Sequence, residues 1–167
     1  DTSFVADLQL ELDSWRNSLP DSLFSRQDIA PAHSHILCLH ILYWLITLRL
    51  YFPVYRQARS DGQDSKPDIE DRFIKLCNRA TEELLQLFSE FDKRYSSKYL
   101  PRSLLQAIVI CGDALILERD QASKEAPKVR DNGQEGIELC ICTLQVAGET
   151  WPHAANLALR LQARAAM

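Results

Sequence analysis

The stretch that most constrains the fold of this chain is residues 33–59, HSHILCLHILYWLITLRLYFPVYRQAR. Its apolar residues occur on nearly every side of a helix, and a helix of that kind has to be covered by neighbouring elements. The sequence therefore predicts a buried central helix from about Ala32 to the neighbourhood of Tyr51. Pro53 removes a backbone donor, so we expect it to kink or stop that helix.

The same stretch raises the question of a membrane span. Its apolar run from Ile36 to Leu48 is interrupted only by His40 and Thr47, and Arg49 closes it. A transmembrane helix needs about 20 predominantly apolar residues. Because the run is shorter than that, we expect a core helix and no membrane association.

Length and composition favour one soluble helical domain. The 167 residues suit a single core, and the 46% hydrophobic and 25% charged content is ordinary for a globular protein. A net charge of −4 argues against direct nucleic-acid binding, which needs clustered Lys and Arg. The chain starts without Met or a charged leader, which indicates a fragment of a longer protein.

Apolar side chains recur at helical spacing in every strong segment, and no segment has the alternation of a strand. The predicted fold class is all-α, a single irregular helical domain over residues 1–167. Surface loops are expected near 60–66 and 122–134. About six helices are predicted, and two of them are apolar on most sides: residues 4–19, 32–51 (apolar), 67–91, 104–117 (apolar), 137–147 and 152–165.

The cysteines carry no sign of a disulfide framework or a zinc motif. All but one fall on the apolar stripe of a predicted helix, where Cys behaves as a small hydrophobic residue. Cys142 is the exception, because the CxC spacing directs it away from Cys140. This pattern favours a reducing compartment, the cytosol or the nucleus. The five are Cys38, Cys77, Cys111, Cys140 and Cys142.

No catalytic motif is present: GxxxxGK[ST], GxGxxG, HExxH and GxSxG do not occur. Neither His33 and His35 nor His35 and His40 have the i,i+3 or i,i+4 spacing of helical metal ligands. We therefore predict no enzyme activity, no catalytic residue, no metal site and no cofactor in this segment. His40, inside the apolar run, is expected to be a hydrogen-bonded core residue.

One set of residues suggests an effector pocket as an alternative to plain core packing. Aromatic side chains on the central helix are usually core, yet they also wall pockets between helices. Asp113 lies in an otherwise apolar helix, so its carboxylate needs solvent, a salt bridge to Arg49 or Arg102, or a place at a ligand pocket. The candidate pocket residues are His40, Tyr43, Trp44, Arg49 and Asp113.

Four segments of the chain, taken in order, resemble a known family. They are LELDSWRNSLPDSL with Leu12, Trp15, Leu19, Pro20 and Leu23; LHILYWLITLRLYFPVY with Leu39, His40, Tyr43, Leu48 and Pro53; Cys77-Asn78-Arg79-Ala80; and Trp151-Pro152-His153-Ala154. The order is similar to the C-terminal half of the middle homology, or regulatory, region of fungal zinc binuclear cluster transcription factors. The family usually has Arg directly before the Pro, whereas this chain has Phe52 there and Arg49 a turn earlier.

The resemblance implies a nuclear regulatory domain, cytoplasmic before activation in some cases, that responds to an effector and controls a separate DNA-binding module. Zinc would belong only to that module. Expected partners are other regions of the same transcription factor, co-regulators, a small-molecule effector or a second copy. The alternative is a helical protein-interaction scaffold or assembly subunit outside transcription. A six-cysteine cluster and a short coiled coil upstream of Asp1 would distinguish the two.

The tryptophans among these landmarks are expected to be core residues. We expect Trp15→Ala and Trp151→Ala to destabilise the domain by about 3–5 kcal/mol if both side chains are fully buried. Gly112, in the second apolar helix, is expected to allow close approach of another helix.

Overall fold

A computed structural model describes residues 2–24, 33–61, 67–122 and 127–167 of the chain. Those residues form α-helices joined by short 3₁₀ turns, with no strand among them. The prediction of an all-α single domain is confirmed. The six helices are α1 (Thr2–Asn17), α2 (Ser34–Asp61), α3 (Pro67–Tyr95), α4 (Leu105–Gln121), α5 (Pro127–Ala147) and α6 (Pro152–Ala165).

The two apolar helices of the sequence, α2 and α4, supply much of the core. On α2, Leu37, Ile41 and Leu48 are at most 1% exposed. α2 packs along α3, and α5 packs along both α4 and α6. α4 contacts α2, α3, α5 and α6, so it is the element that joins the two helical groups. Its buried residues are Leu105, Ala107, Ile108, Cys111, Gly112, Ala114 and Leu115.

Pro53 does not end α2, so the prediction that the helix stops in the neighbourhood of Tyr51 is wrong. The helix continues through Pro53 to Asp61. Proline removes one backbone hydrogen bond of the helix, but Tyr51 and Tyr55 on either side of it are buried in the core. Their packing holds the chain helical where the local sequence favours a break.

Part of each predicted surface loop is helical. α5 begins at Pro127, so residues 127–134 are helical and the prediction of a loop over 122–134 is wrong there. Proline is favourable in the first helical turn because its missing N–H has no partner to lose. Residues 60 and 61 belong to α2. Residues 62–66 and 123–126 lie outside the described part of the chain, as do 25–32.

α2 is long enough to reopen the question of a membrane span. Its segment Ser34–Gln57 is 24 residues with a mean hydropathy of 1.6, which suffices by length and composition to cross a bilayer. Of an 18-residue apolar stretch within it, 56% is buried inside the protein. The core helix of a soluble protein can have the same length and composition.

The cysteines occupy the places that the sequence predicts. Cys77, Cys111 and Cys140 are buried, Cys38 is half-buried and Cys142 is exposed, and all are free thiols. Burial raises the pKa of Cys77 to about 12. The pKa of Cys111 is raised well above its usual range, first by burial and then by the neighbouring Cys140.

Candidate functional site

The first candidate site is a polar and aromatic cluster between α1 and α2. The hydroxyl of Tyr43 on α2 donates a hydrogen bond to Oδ1 of Asp13 on α1, at 2.6 Å. The same oxygen accepts a 2.7 Å hydrogen bond from Nε2 of Gln9. The ring of Trp15 stacks against that of Tyr43, with centroids 6.5 Å apart. Burial is the largest cause that raises the pKa of Tyr43, and the Asp13 carboxylate raises it further.

Arginines cover the aromatic rings of this cluster. The guanidinium of Arg16 lies 4.5 Å from the centre of the Tyr43 ring and 4.9 Å from that of Trp44. Arg79 of α3 approaches Trp44 at 5.7 Å. Such cation–π contacts contribute about 0.5–1 kcal/mol at exposed sites and more when water is excluded. We call Gln9, Asp13, Trp15, Arg16, Tyr43 and Trp44 the α1–α2 cluster.

His40 of α2 is hydrogen-bonded to the turn that follows α1. Its Nε2 donates a 2.7 Å hydrogen bond to the backbone carbonyl of Leu23, in the 3₁₀ turn Asp21–Leu23. Its ring packs against Phe24, with centroids 5.8 Å apart. His40 is 7% exposed and hydrogen-bonded, which agrees with the expectation of a satisfied core histidine.

The second candidate site is an open cleft of about 380 Å³ lined by residues of α2, α4 and α6. Its walls combine apolar side chains with two arginines and two aspartates. Asp113, which the sequence proposed as a pocket residue, belongs to it. The lining residues are Phe52, Arg56, Asp113, Ile116, Leu117, Asp120 and Arg164.

Asp113 has a different partner from those that the sequence suggested. Nε of Arg164 on α6 donates to its Oδ1 at 2.8 Å, so the proposed salt bridge to Arg49 or Arg102 is wrong. Burial raises the pKa of the Asp113 carboxyl, and the positive charges of Arg164 and Arg56 oppose that rise. A partner 51 positions away in the chain leaves no signal in the sequence pattern.

The residues proposed as one effector pocket therefore divide between places. Tyr43 and Trp44 touch edge to face, with ring centroids 4.8 Å apart, and belong to the α1–α2 cluster. His40 binds the turn after α1. Arg49 is exposed on α2. Of the five, only Asp113 lines the cleft, where Arg164 and Asp120 join it as residues that sequence reasoning did not single out.

Within the described residues, no three His, Cys, Asp or Glu side chains come together as a metal-binding group. No family model, curated protein or solved structure matches this chain. The resemblance to the fungal regulatory region therefore stays a prediction from its packing landmarks.

Proposed function

We propose that the chain is a regulatory domain of a fungal-type transcription factor, controlling a separate DNA-binding module through contacts between helices. One observation carries the proposal. Landmarks of the resemblance that come from two separate segments meet at one interface. Trp15 stacks on Tyr43, and His40 holds the turn of Leu23. These residues therefore have a joint role in attaching α1 and its following turn to α2.

The contacts that hold α1 against α2 are of a kind that contacts with another partner can replace. Val5 and Leu12 pack half-buried against the core, while Gln9, Asp13 and Arg16 supply polar and cation–π contacts. Replacing a hydrogen bond by water costs about 0.5–1.5 kcal/mol net, or about 1.5–3 kcal/mol where one partner is charged, which does not exceed the cost of exposing one large buried side chain. An effector or partner that binds α1 or α2 differently in two arrangements would shift the population between them.

A reporter experiment tests this role. The chain is fused to an unrelated DNA-binding domain, and transcription from its operator is compared with that of the DNA-binding domain alone. We expect the fusion to raise or lower transcription severalfold. Tyr43→Phe and Asp13→Asn, which break the cluster, should change that output at equal protein level.

Tyr99→Phe is the matched control, since Tyr99 is 66% exposed and lies outside the cluster. A fusion as inert as the DNA-binding domain alone would contradict the proposal. So would an output that Tyr43→Phe and Tyr99→Phe leave equally unchanged.

The alternative, a helical interaction scaffold, is favoured by one feature of the surface. Leu42 and Ile46 are 44% and 38% exposed and stand one turn apart on α2. On α1, Phe4 and Leu10 are 63% and 64% exposed. Contiguous exposed apolar side chains mark protein contacts, and Leu42 and Ile46 are a pair of this kind. An inert reporter fusion, together with an assembly in light scattering that Leu42→Lys/Ile46→Lys dissociates, would support this alternative.

A further inference from the structure

The outer side of α2 carries an exposed row of apolar side chains with one positive charge among them. Residues three or four apart share one face of a helix, and such steps link Leu42, Ile46, Arg49 and Pro53. All four are exposed, and we call them the α2 row. In the described part of the chain, the side chain of Arg49 forms no ion pair. The α2 row is therefore an apolar surface with an unpaired guanidinium.

The outer side of α1 is apolar as well, but its charges are negative. Phe4 and Leu10 each stand three residues from Asp7, and Glu11 stands four residues after it, so they adjoin on one helix face. All four side chains are exposed, and we call them the α1 outer face. Among the residues that the structure describes, neither Asp7 nor Glu11 has a cationic partner. The α1 outer face is thus complementary in charge to the α2 row.

The two surfaces do not cover each other within one copy of the chain. α1 is held against α2 by other side chains, since Asp13 accepts the hydrogen bond of Tyr43 and Trp15 stacks on the Tyr43 ring. With α1 docked in this way, the α1 outer face and the α2 row both stay exposed. A contact between them therefore needs a second molecule.

We propose that the α1 outer face of one copy packs on the α2 row of a second copy, with Asp7 and Glu11 against Arg49. A second copy is favoured over an unrelated partner because the chain itself carries both complementary surfaces. In a two-fold dimer each copy contributes both of them, so the same contact forms twice. Burial of the apolar side chains supplies affinity, and the opposite charges select the pairing. The inference goes beyond the regulatory role and does not depend on it.

Sedimentation velocity of the purified chain over a series of concentrations tests the dimer. We expect a reversible equilibrium between monomer and dimer. Arg49→Glu should raise the dissociation constant about tenfold or more, because it places a carboxylate against those of the α1 outer face. Asp7→Arg/Glu11→Arg should weaken the dimer to a similar extent, because it places guanidiniums against Arg49.

An equimolar mixture of these two variants tests the pairing itself. Each variant alone brings like charges together at both contacts of the dimer. In a mixed dimer one contact has the parental residues, and the other has the same charges reversed, so opposite charges meet at both. The mixture should therefore sediment as a dimer at concentrations where each variant is a monomer. Arg160→Glu is the matched control, because it reverses an exposed arginine of α6 that belongs to neither surface.

A parent chain that stays monomeric at every concentration would overturn the proposal. So would a dimer that Arg49→Glu weakens no more than Arg160→Glu does, or variants that remain monomers when mixed. Circular dichroism checks that each variant is folded. If Asp7→Arg/Glu11→Arg melts early, Glu11→Arg alone replaces it in the mixture, with the same expected recovery of the dimer. Failure here leaves the reporter test of the α1–α2 cluster unaffected.

Discussion

Gly112 of α4 lies so close to Leu161 of α6 that a Cβ on the glycine would stand 2.6 Å from Cδ2 of the leucine. Leu161 is fully buried. This approach of two helices also brings Asp113, the neighbour of Gly112, within hydrogen-bonding distance of Arg164, which lies about one turn after Leu161. The expectation that Gly112 permits close helix approach is confirmed, and the same contact positions the charged wall of the cleft.

A double-mutant cycle measures the Gly112–Leu161 contact. Gly112→Ala gains about 1 kcal/mol of helix propensity but overpacks the interface, which costs about 1–3 kcal/mol, so we expect net destabilisation. Leu161→Ala should cost about 2–5 kcal/mol by leaving a cavity. The double variant should be more stable than the sum predicts, because the new methyl enters the space of the lost side chain. Additive losses in urea unfolding would contradict the close approach.

Tyr43→Phe should destabilise the domain by about 1–2 kcal/mol, because it removes the donor to the half-buried carboxylate of Asp13. Urea denaturation at pH 7 measures the change. Tyr99→Phe, at an exposed position, should stay within about 0.5 kcal/mol of the parent. In the Asp13→Asn background the effect of Tyr43→Phe should shrink. An equal loss in both backgrounds would mean that the two side chains do not act together.

The two landmark tryptophans should differ in their effect on stability. Trp15 is 42% exposed, so the expectation that it is a fully buried core residue is wrong. Trp151 is half-buried, and its Nε1–H donates to the backbone carbonyl of Leu100 at 2.9 Å. We expect Trp15→Ala to cost about 1 kcal/mol, mainly its stacking on Tyr43, and Trp151→Ala about 2–4 kcal/mol.

Thermal and urea unfolding of both variants check this order. Trp151→Phe adds a finer test, because it keeps the ring and loses the hydrogen bond, with an expected cost of about 1 kcal/mol. Equal losses for Trp15→Ala and Trp151→Ala would contradict the difference in burial.

The native protein should react with a thiol reagent first at Cys142. It is exposed, whereas Cys77, Cys111 and Cys140 are buried and Cys38 is half-buried with a raised pKa. Only an accessible thiolate reacts, so burial both blocks the reagent and disfavours the reactive form. Brief alkylation at pH 8, followed by peptide mass spectrometry, should find the label at Cys142. Cys142→Ser should abolish the fast phase; a fast phase that persists would place another thiol at the surface.

Stability should fall as the pH rises above about 9. The pKa of Cys77 is raised to about 12 from an ordinary value of 9.0. Between those values the unfolded chain has lost the proton that the folded chain keeps, so stability decreases with pH, by at most about 1.4 kcal/mol per pH unit for this group. Urea unfolding at pH 8, 9 and 10 measures the slope. Cys77→Ala, although less stable at pH 8, should have a shallower slope; an unchanged slope would exclude Cys77 as a cause.

The helices of this protein could be predicted because their signals are local. The apolar side chains of α3 repeat at helical spacing within one segment, and α6 begins at Pro152, as the sequence indicates. α2 and α4 are apolar on most sides, and both are buried in the core. Burial of this kind follows from the amount of apolar surface that each segment carries, whatever its neighbours are.

Other features depend on residues far apart in the sequence. α2 continues through Pro53 because Tyr51 and Tyr55 pack into the core. Residues 127–134 are helical although Gly133 is a poor helix former. A Cβ at Gly133 would meet that of Arg119 at 3.3 Å, so the glycine allows α5 to lie against α4.

The sequence by itself determined that this chain folds as helices around two apolar ones, since periodicity and hydrophobicity act within each segment. Only the tertiary structure decided which polar residues meet. Asp113 binds Arg164 and Tyr43 binds Asp13 because whole helices are brought together by their apolar faces. The cleft and the α1–α2 cluster lie at the edges of that packing. Their residues come from different helices, so no single segment of the sequence predicts either site.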